Sequence, residues 1–201
     1  MDRYLTLAGN GEATIRERAS RFIGIAFHMP DEASFKERLA LLTREHHTAS
    51  HLCYAWVLGE AGDVTRANDA GEPSGTAGRP ILRRIQQLHV TFTAVIVVRY
   101  FGGTLLGKAG LVNAYGEAAQ LALQQAPRVQ CIARTSVVVR CGYAQVESVR
   151  KDALTNEGEV LDSTFGDACM LTVALPRDSV AAIVERWRTQ GIEATINDQR
   201  K

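Results

Sequence analysis

The sequence predicts an α+β protein of two domains, because its hydrophobic pattern changes partway along the chain. Up to Pro127, long apolar segments with strand character alternate with helical ones. After Pro127, shorter segments follow in the order βαββαβ, which can fold alone as a ferredoxin-like α/β sandwich. A chain of 201 residues allows one large domain or two small ones. We therefore expect domains at 1–130 and 131–201, with the boundary near residues 127–133.

The first strands and helix are indicated by residue type and spacing. Segments 20–29 and 51–59 are rich in β-branched and aromatic residues, which favours strands. Between them, residues 31–47 open with two acids and repeat apolar side chains at helical spacing. We predict a strand, a helix and a second strand in that order.

The next two elements are the most apolar of the chain. Segment 91–101 is a nearly continuous apolar run, typical of a strand covered on both faces. Segment 109–126 is rich in alanine and leucine, with apolar residues recurring every three to four positions. It is predicted to be a helix that ends at Pro127, since proline cannot continue one.

The last part of the chain alternates strands and capped helices. A helix in this part is closed by a glycine, and two strands flank the turn formed by Gly166 and Asp167. The predicted order is strand 134–142, helix 143–158, strands 159–166 and 168–176, helix 177–191 and strand 192–198.

Composition narrows the class of protein. Apolar residues make up 46% of the chain and charged residues 22%, which is ordinary for a folded protein. The formal net charge of +1 provides no overall field to attract nucleic acid or an anionic membrane. No apolar stretch approaches the roughly 20 residues of a membrane-spanning helix, and the N-terminus lacks the pattern of a secretion signal. We expect a cytoplasmic protein without a membrane partner, whose four scattered cysteines are reduced.

Two glycine clusters, at 71–78 and 100–110, are the strongest candidates for a binding site. Each leads into a predicted helix, whose first amides lack internal partners and carry partial positive charge. Residues 66–108 also hold six basic and two acidic side chains. Glycine loops of this kind can present amides to an anion, although glycines also serve tight turns and close packing. The candidate anion- or partner-binding residues are His51, Asp69, Glu72, Ser74, Gly75, Thr76, Gly78, Arg79, Arg99, Tyr100, Gly102, Gly103, Gly107, Lys108 and Gly110.

The second cluster partly matches a phosphate-binding loop of nucleotide hydrolases. Gly102, Gly107 and Lys108 satisfy the pattern G-x-x-x-x-G-K between a predicted strand and a helix. The next residue is Ala109, where such loops place the Ser or Thr hydroxyl that holds Mg²⁺. The spacing therefore favours anion binding over magnesium-dependent hydrolysis.

Histidine and cysteine residues gather at His46, His47, His51 and Cys53. These are zinc-ligand types, but the stretch crosses from a helix end into a strand, so their side chains are expected to diverge. His51 and Cys53 share one strand face as a possible base and nucleophile, yet nothing supplies an orienting third group. We predict no metal, no cofactor and no catalytic residue.

The blocks "SRFIG", "HLCYAWVLG", "DAGEPSGTAGRPIL" and "VVRYFGGTLLGKAGLVNAYGEAA" resemble the IMPACT/YigZ family over about the first 127 residues. The resemblance implies an N-terminal domain similar to domain 2 of ribosomal protein S5 and to ribonuclease PH. It also implies a C-terminal ferredoxin-like domain similar to the last domain of elongation factor G. Eukaryotic members act in translational control, where they compete for a ribosome-associated activator of an initiation-factor kinase. No catalytic residues come with the family.

Three functions remain open from the sequence. The first is a non-enzymatic translation-associated regulator that binds RNA, the ribosome or a ribosome-bound protein through the basic face of the glycine loops. The second is an enzyme for a phosphorylated or peptide-like small molecule, with His51, Asp69 and Glu72 as acid–base groups. The third is a protein-binding adaptor that uses an exposed apolar patch. The first requires the two glycine loops to converge with free amides.

Overall fold

The chain folds as two α+β units, as the sequence predicts. A computed structural model describes residues 3–197. One unit is Tyr4–Cys131, here called the N-terminal unit. The other joins Arg3 to residues 132–197 and is here called the C-terminal unit.

The N-terminal unit is built on a five-stranded antiparallel sheet. The strands are β1 (Arg3–Leu7), β2 (Gly11–Glu17), β3 (Ser20–His28), β4 (His51–Leu58), β5 (Val64–Asn68), β6 (Thr93–Tyr100) and β7 (Arg128–Ile132). The sheet has the order β2-β3-β6-β4-β5, and β1 pairs with β7 in a separate two-stranded sheet. The predicted strands β3, β4 and β6 are confirmed, whereas the sequence did not predict β1, β2, β5 and β7.

Three helices cover this sheet: α1 (Glu32–Glu45), α2 (Gly78–Gln87) and α3 (Gly107–Gln125). Val95 and Val97 of β6 enter one core together with α2 and α3. Ile96 and Val98 point the other way, into a second core that includes Phe35 and Leu42 of α1. The prediction that segment 91–101 is a strand covered on both faces is therefore confirmed.

Helix α3 approaches the sheet unusually closely, because glycine faces it from two strands. A Cβ atom at Gly24 of β3 would overlap the carbonyl of Ala118, and one at Gly11 of β2 would overlap that of Ala122. The alanines of α3 match these glycines, so backbone packs almost directly against backbone. This contact fixes the position of α3 against the sheet, and the helix begins at Gly107 within the second glycine cluster.

The C-terminal unit has the predicted order βαββαβ. Its elements are β8 (Arg134–Cys141), a 3₁₀ turn (Tyr143–Gln145), α4 (Val146–Thr155), β9 (Glu159–Phe165), β10 (Cys169–Pro176), α5 (Val180–Thr189) and β11 (Glu193–Asn197). The antiparallel sheet has the order β11-β8-β10-β9, which is the ferredoxin-like arrangement. The predicted last strand extended to Asp198, which lies outside the described residues. Across residues 3–197, no helix combines the length and apolarity needed to span a bilayer.

Candidate functional site

Both glycine clusters contribute to one cavity in the N-terminal unit. The cavity has a volume of about 450 Å³. Glu72 comes from the first cluster, Gly107 and Lys108 come from the second, and His51 and Arg99 lie on neighbouring strands of the sheet. Five residues that the sequence singled out therefore line one cavity.

The amides of the first cluster are occupied by the chain itself. The Asp69 carboxylate accepts hydrogen bonds from the backbone N–H groups of Gly75, Ala77 and Gly78 at 2.8, 2.9 and 2.8 Å. Burial alone would raise the pKa of Asp69, but these amides and the nearby charge of Arg79 hold it below its ordinary value. The expectation that this loop offers free amides to an external anion is therefore wrong.

Arg99 is also committed within the protein. Only 5% of this residue is exposed, and its Nη1 donates to Oε1 of Glu72 at 2.5 Å. The Tyr115 hydroxyl donates to the same oxygen at 2.8 Å, and burial raises the pKa of that hydroxyl. Arg99 therefore neutralises a buried carboxylate instead of offering a free charge, which corrects the role predicted for it.

His51 presents one ring nitrogen to the cavity. Its Nδ1 lies 2.8 Å from the carbonyl oxygen of Ala70, which can only accept, so Nδ1 carries the proton. Nε2 lies 3.9 Å from Oε1 of Glu72. In the neutral imidazole, Nε2 is therefore an acceptor beside the Glu72 carboxylate.

The second cluster forms an exposed loop with its backbone largely open. Gly103 and Gly107 have φ of +84° and +71°, and added Cβ atoms would meet open space there. Gly102 is different, because a Cβ atom would overlap the carbonyl of Ala19 and its N–H donates to Ser20 Oγ at 3.3 Å. The loop is thus anchored at Gly102 and again at the Leu105 carbonyl, while its glycines at 103 and 107 face open space.

Helix α3 begins at the cavity without a side-chain cap. Its N-cap residue is Leu106, which has no polar atom to receive the first amides. Lys108 is exposed, and its ammonium group has no bonding partner among residues 3–197. Gly110 lies one turn further along, against Leu106. An uncapped helix start and an unpaired lysine make this end of the cavity electropositive.

The remaining predicted residues lie outside the cavity lining. Ser74 and Arg79 are exposed, whereas Thr76 is buried and its Oγ1 donates to the Pro73 carbonyl at 2.6 Å. The Tyr100 hydroxyl bonds to Nδ1 of His46 at 2.9 Å. These residues shape the loops, as the structural interpretation of the clusters allowed.

Sequence reasoning missed two exposed arginines near the second cluster, two exposed apolar residues within it and one buried hydroxyl. The guanidinium of Arg18 donates to the Leu105 carbonyl at 2.8 Å. That of Arg21 lies 4.5 Å from the Tyr100 ring centre. Both arginines lie at the β2–β3 turn, which the sequence did not reveal. Phe101, Leu105 and Tyr115 lie inside the quoted family motif, but no pattern of residue types there indicated a functional role for them.

His46, His47, His51 and Cys53 do not come together as a metal site among residues 3–197. Within the described part of the chain, no three His, Cys, Asp or Glu side chains are placed to hold a metal ion. Cys53 is buried, and its thiol donates to the Asp69 carbonyl at 3.0 Å. Burial raises the pKa of Cys53 to about 12, so it is a neutral thiol and a poor nucleophile at physiological pH.

Comparison with known proteins places the chain in a family. The family model of the Impact N-terminal domain matches residues 18–123. IMPACT family member YigZ of Escherichia coli (strain K12) is 35% identical over 90% of each chain. An IMPACT family member of Haemophilus influenzae is 33% identical over 82% of this chain and 81% of its own.

Solved structures are also similar to this chain. A crystal structure described as that of a hypothetical protein superposes with a TM-score of 0.75 and 30% identity over the whole of both chains. Two-domain translational regulator Yih1 gives a TM-score of 0.41 with 26% identity, over 59% of this chain and 48% of that chain. That superposition is too loose to support an inference about fold or function. The matched family model and the full-length relatives together establish that the chain belongs to the IMPACT family.

Proposed function

We propose that this protein is a non-enzymatic, translation-associated regulator that binds RNA through the surface around its second glycine loop alone. The two-loop form of this role is set aside, because the amides of the first loop are occupied by Asp69. Membership of the IMPACT family supports the translation role, because the family resemblance implies translational control. The RNA partner is supported by the chemistry of the loop. Fold likeness alone would be a weak reason for either.

The observation that supports RNA binding most directly is an exposed apolar loop surrounded by cations. Phe101 is 45% exposed and Leu105 is 79% exposed. Arg18 binds the loop at Leu105, Arg21 lies against neighbouring Tyr100, and Lys108 shares the cavity wall with both apolar residues. We call Arg18, Arg21, Phe101, Leu105 and Lys108 the loop surface. Unpaired bases stack on aromatic rings while cations follow the phosphates, which is how proteins hold single-stranded RNA.

Salt dependence tests this proposal. Three phosphate contacts predict that the logarithm of the affinity falls with a slope of about −2 against the logarithm of salt concentration. Fluorescence anisotropy with a labelled single-stranded RNA should thus show roughly a twentyfold loss of affinity over a fourfold rise in salt. Lys108→Ala should lower the slope by about 0.7, and Lys36→Ala, an exposed lysine of α1, should leave it unchanged. Affinity that is independent of salt and of Lys108 would refute RNA binding here.

One observation favours an enzyme as the second candidate. His51 Nε2 and the Glu72 carboxylate line the same cavity, 3.9 Å apart, so two of the three predicted acid–base groups converge. Asp69 does not join them, since its carboxylate is held by backbone amides. The test is turnover of phosphate esters and dipeptides by the full chain and by His51→Gln. Turnover that His51→Gln abolishes, with unchanged thermal unfolding, would replace the regulator proposal.

A further inference from the structure

The cavity beside the loop surface is lined by hydrogen-bond acceptors, here called the polar wall, and by apolar groups, here called the apolar wall. We infer that it takes up one guanine base of a guanosine 5′-phosphate unit, whose phosphate lies at Lys108. For a guanosine within a strand, this inference rests on the RNA binding proposed above. The cavity volume of about 450 Å³ lies within the range of about 300–1,000 Å³ that small-ligand sites occupy.

The polar wall calls for a ligand that donates hydrogen bonds. Within residues 3–197, the hydrogen bonds and the His51 pairing of the Glu72 side chain all run to Oε1, which receives Arg99 and Tyr115. Its Oε2 therefore keeps its acceptor capacity. His51 adds Nε2 as a second acceptor, because Nδ1 carries the proton toward Ala70. Two acceptors on one wall favour a ligand edge with two neighbouring N–H groups.

Guanine is the natural base with such an edge. Its N1–H and N2–H₂ groups are adjacent donors, whereas adenine and cytosine place one donor beside an acceptor, and uracil has a single N–H group between two acceptors. The guanine O6 acceptor extends the match. Arg99 is nine-tenths buried at this wall, and its Nε–H has no acceptor in the described part of the chain. This N–H is itself closed to solvent, so the guanine O6 accepts from it only after a small shift of the Arg99 side chain.

The apolar wall suits the flat faces of a base. Phe101, Leu106 and Leu111 also line the cavity, and the Phe101 ring centre lies 5.3 Å from Cζ of Arg99. An aromatic ring at the cavity mouth provides a stacking surface, which single-stranded nucleic acids use without regard to sequence. Specificity would then come from the polar wall and affinity from the apolar one.

The phosphate end of the unit fits the start of α3. Lys108 supplies an ammonium group that is unpaired among the described residues, and the first amides of the helix have no side-chain cap there. Both features favour an anion, and a lysine beside the first amides of a helix commonly binds phosphate. The base and phosphate positions lie within one cavity, so one nucleotide unit can reach both.

Calorimetric titration of the full chain with GMP, IMP and AMP tests the inference. GMP should bind about tenfold or more tightly than AMP, because one bidentate donor pair is lost. IMP, which lacks the N2 amino group, should fall between them. Phe101→Ala should weaken GMP binding about tenfold. Lys108→Ala should weaken GMP but not guanosine, and Lys36→Ala should change neither.

A second arm separates the two sources of the guanosine unit. Single-stranded oligouridine with one guanosine is compared with the same RNA carrying one adenosine. Preference for the guanosine RNA supports both proposals. RNA binding without preference, or equal binding of GMP and AMP, overturns the guanine inference and leaves RNA binding standing. GMP binding without RNA binding overturns the proposed function and makes a free guanine nucleotide the occupant.

Discussion

The Asp69 side chain occupies the amides of the first glycine loop, so only the second loop stays open to a ligand. The sequence identified both loops and the cations near them. It did not show that this carboxylate accepts hydrogen bonds from the amides of Gly75, Ala77 and Gly78. Nor could it show that Arg99 is buried against Glu72. Both outcomes depend on how the loop closes back on itself, and residue type and spacing carry no such information.

Replacing Asp69 by asparagine should destabilise the N-terminal unit by about 2 kcal/mol at pH 7, because three charge-assisted amide bonds are weakened. The folded-state pKa of Asp69 is depressed below its ordinary value of 3.8. Its stabilisation is thus complete above about pH 4 and is lost as the pH falls through the folded-state pKa. Urea unfolding at several pH values should show the gap to the wild type closing in acid. Glu37→Gln, an exposed charge change on α1, should show no such gap.

The cysteines should differ in reactivity according to burial. Cys53, Cys141 and Cys169 are buried and Cys131 is partly exposed. Burial raises the pKa of Cys53 and, together with neighbouring Cys169, that of Cys141. A maleimide should therefore label native protein quickly at Cys131 alone, and Cys131→Ser should remove the fast phase. Rapid labelling of Cys53, identified by peptide mass, would contradict its burial.

At the scale of elements, the strongest hydrophobic patterns were predicted and the weak ones were not. Strand β6 and helix α3 are apolar enough for period and length to mark them. Strand β5 is almost wholly exposed, so it shows no alternation between a buried and a solvent face. Edge strands such as β2 and β5 form because a neighbour provides the pairing, which a single segment does not reveal.

The contact between α3 and the sheet yields a prediction about two glycines. Gly24→Ala should cost about 3 kcal/mol, since the new methyl group would overlap the Ala118 carbonyl. Gly116→Ala is the matched control, because its Cβ would come no nearer than 3.5 Å to Arg84. Helix propensity favours alanine there by about 1 kcal/mol. Thermal unfolding should rank Gly116→Ala at or above the wild type, and equal losses at both sites would disprove the close packing.

At the scale of the whole molecule, each unit has its own core. Residues from Leu7 to Ala126 form the cores of the N-terminal unit, and residues from Val137 to Ala194 form that of the C-terminal unit. The change of hydrophobic pattern after Pro127 predicted this division into two folds, because shorter segments in the order βαββαβ begin there. The likenesses to ribosomal protein S5 domain 2 and to elongation factor G stay predictions.

Separate cores predict separate responses to mutation. Asp152 of α4 accepts from Trp187 Nε1 at 2.7 Å and from Arg186 at 2.6 Å, so it joins α4 to α5. Asp152→Ala should leave a buried indole N–H unpaired and destabilise the C-terminal unit by about 2 kcal/mol. Native-state hydrogen exchange should then accelerate in β10 and stay unchanged in β6. Equal acceleration in both strands would indicate one cooperative fold.

The Asp69 carboxylate acts as a built-in counterion, seated where other glycine loops hold a phosphate. A single side chain therefore occupies the amides that could otherwise bind an external anion. Replacing Asp69 with glycine would leave three backbone N–H groups of the first glycine loop without their acceptor, and an external phosphate would then be able to take its place.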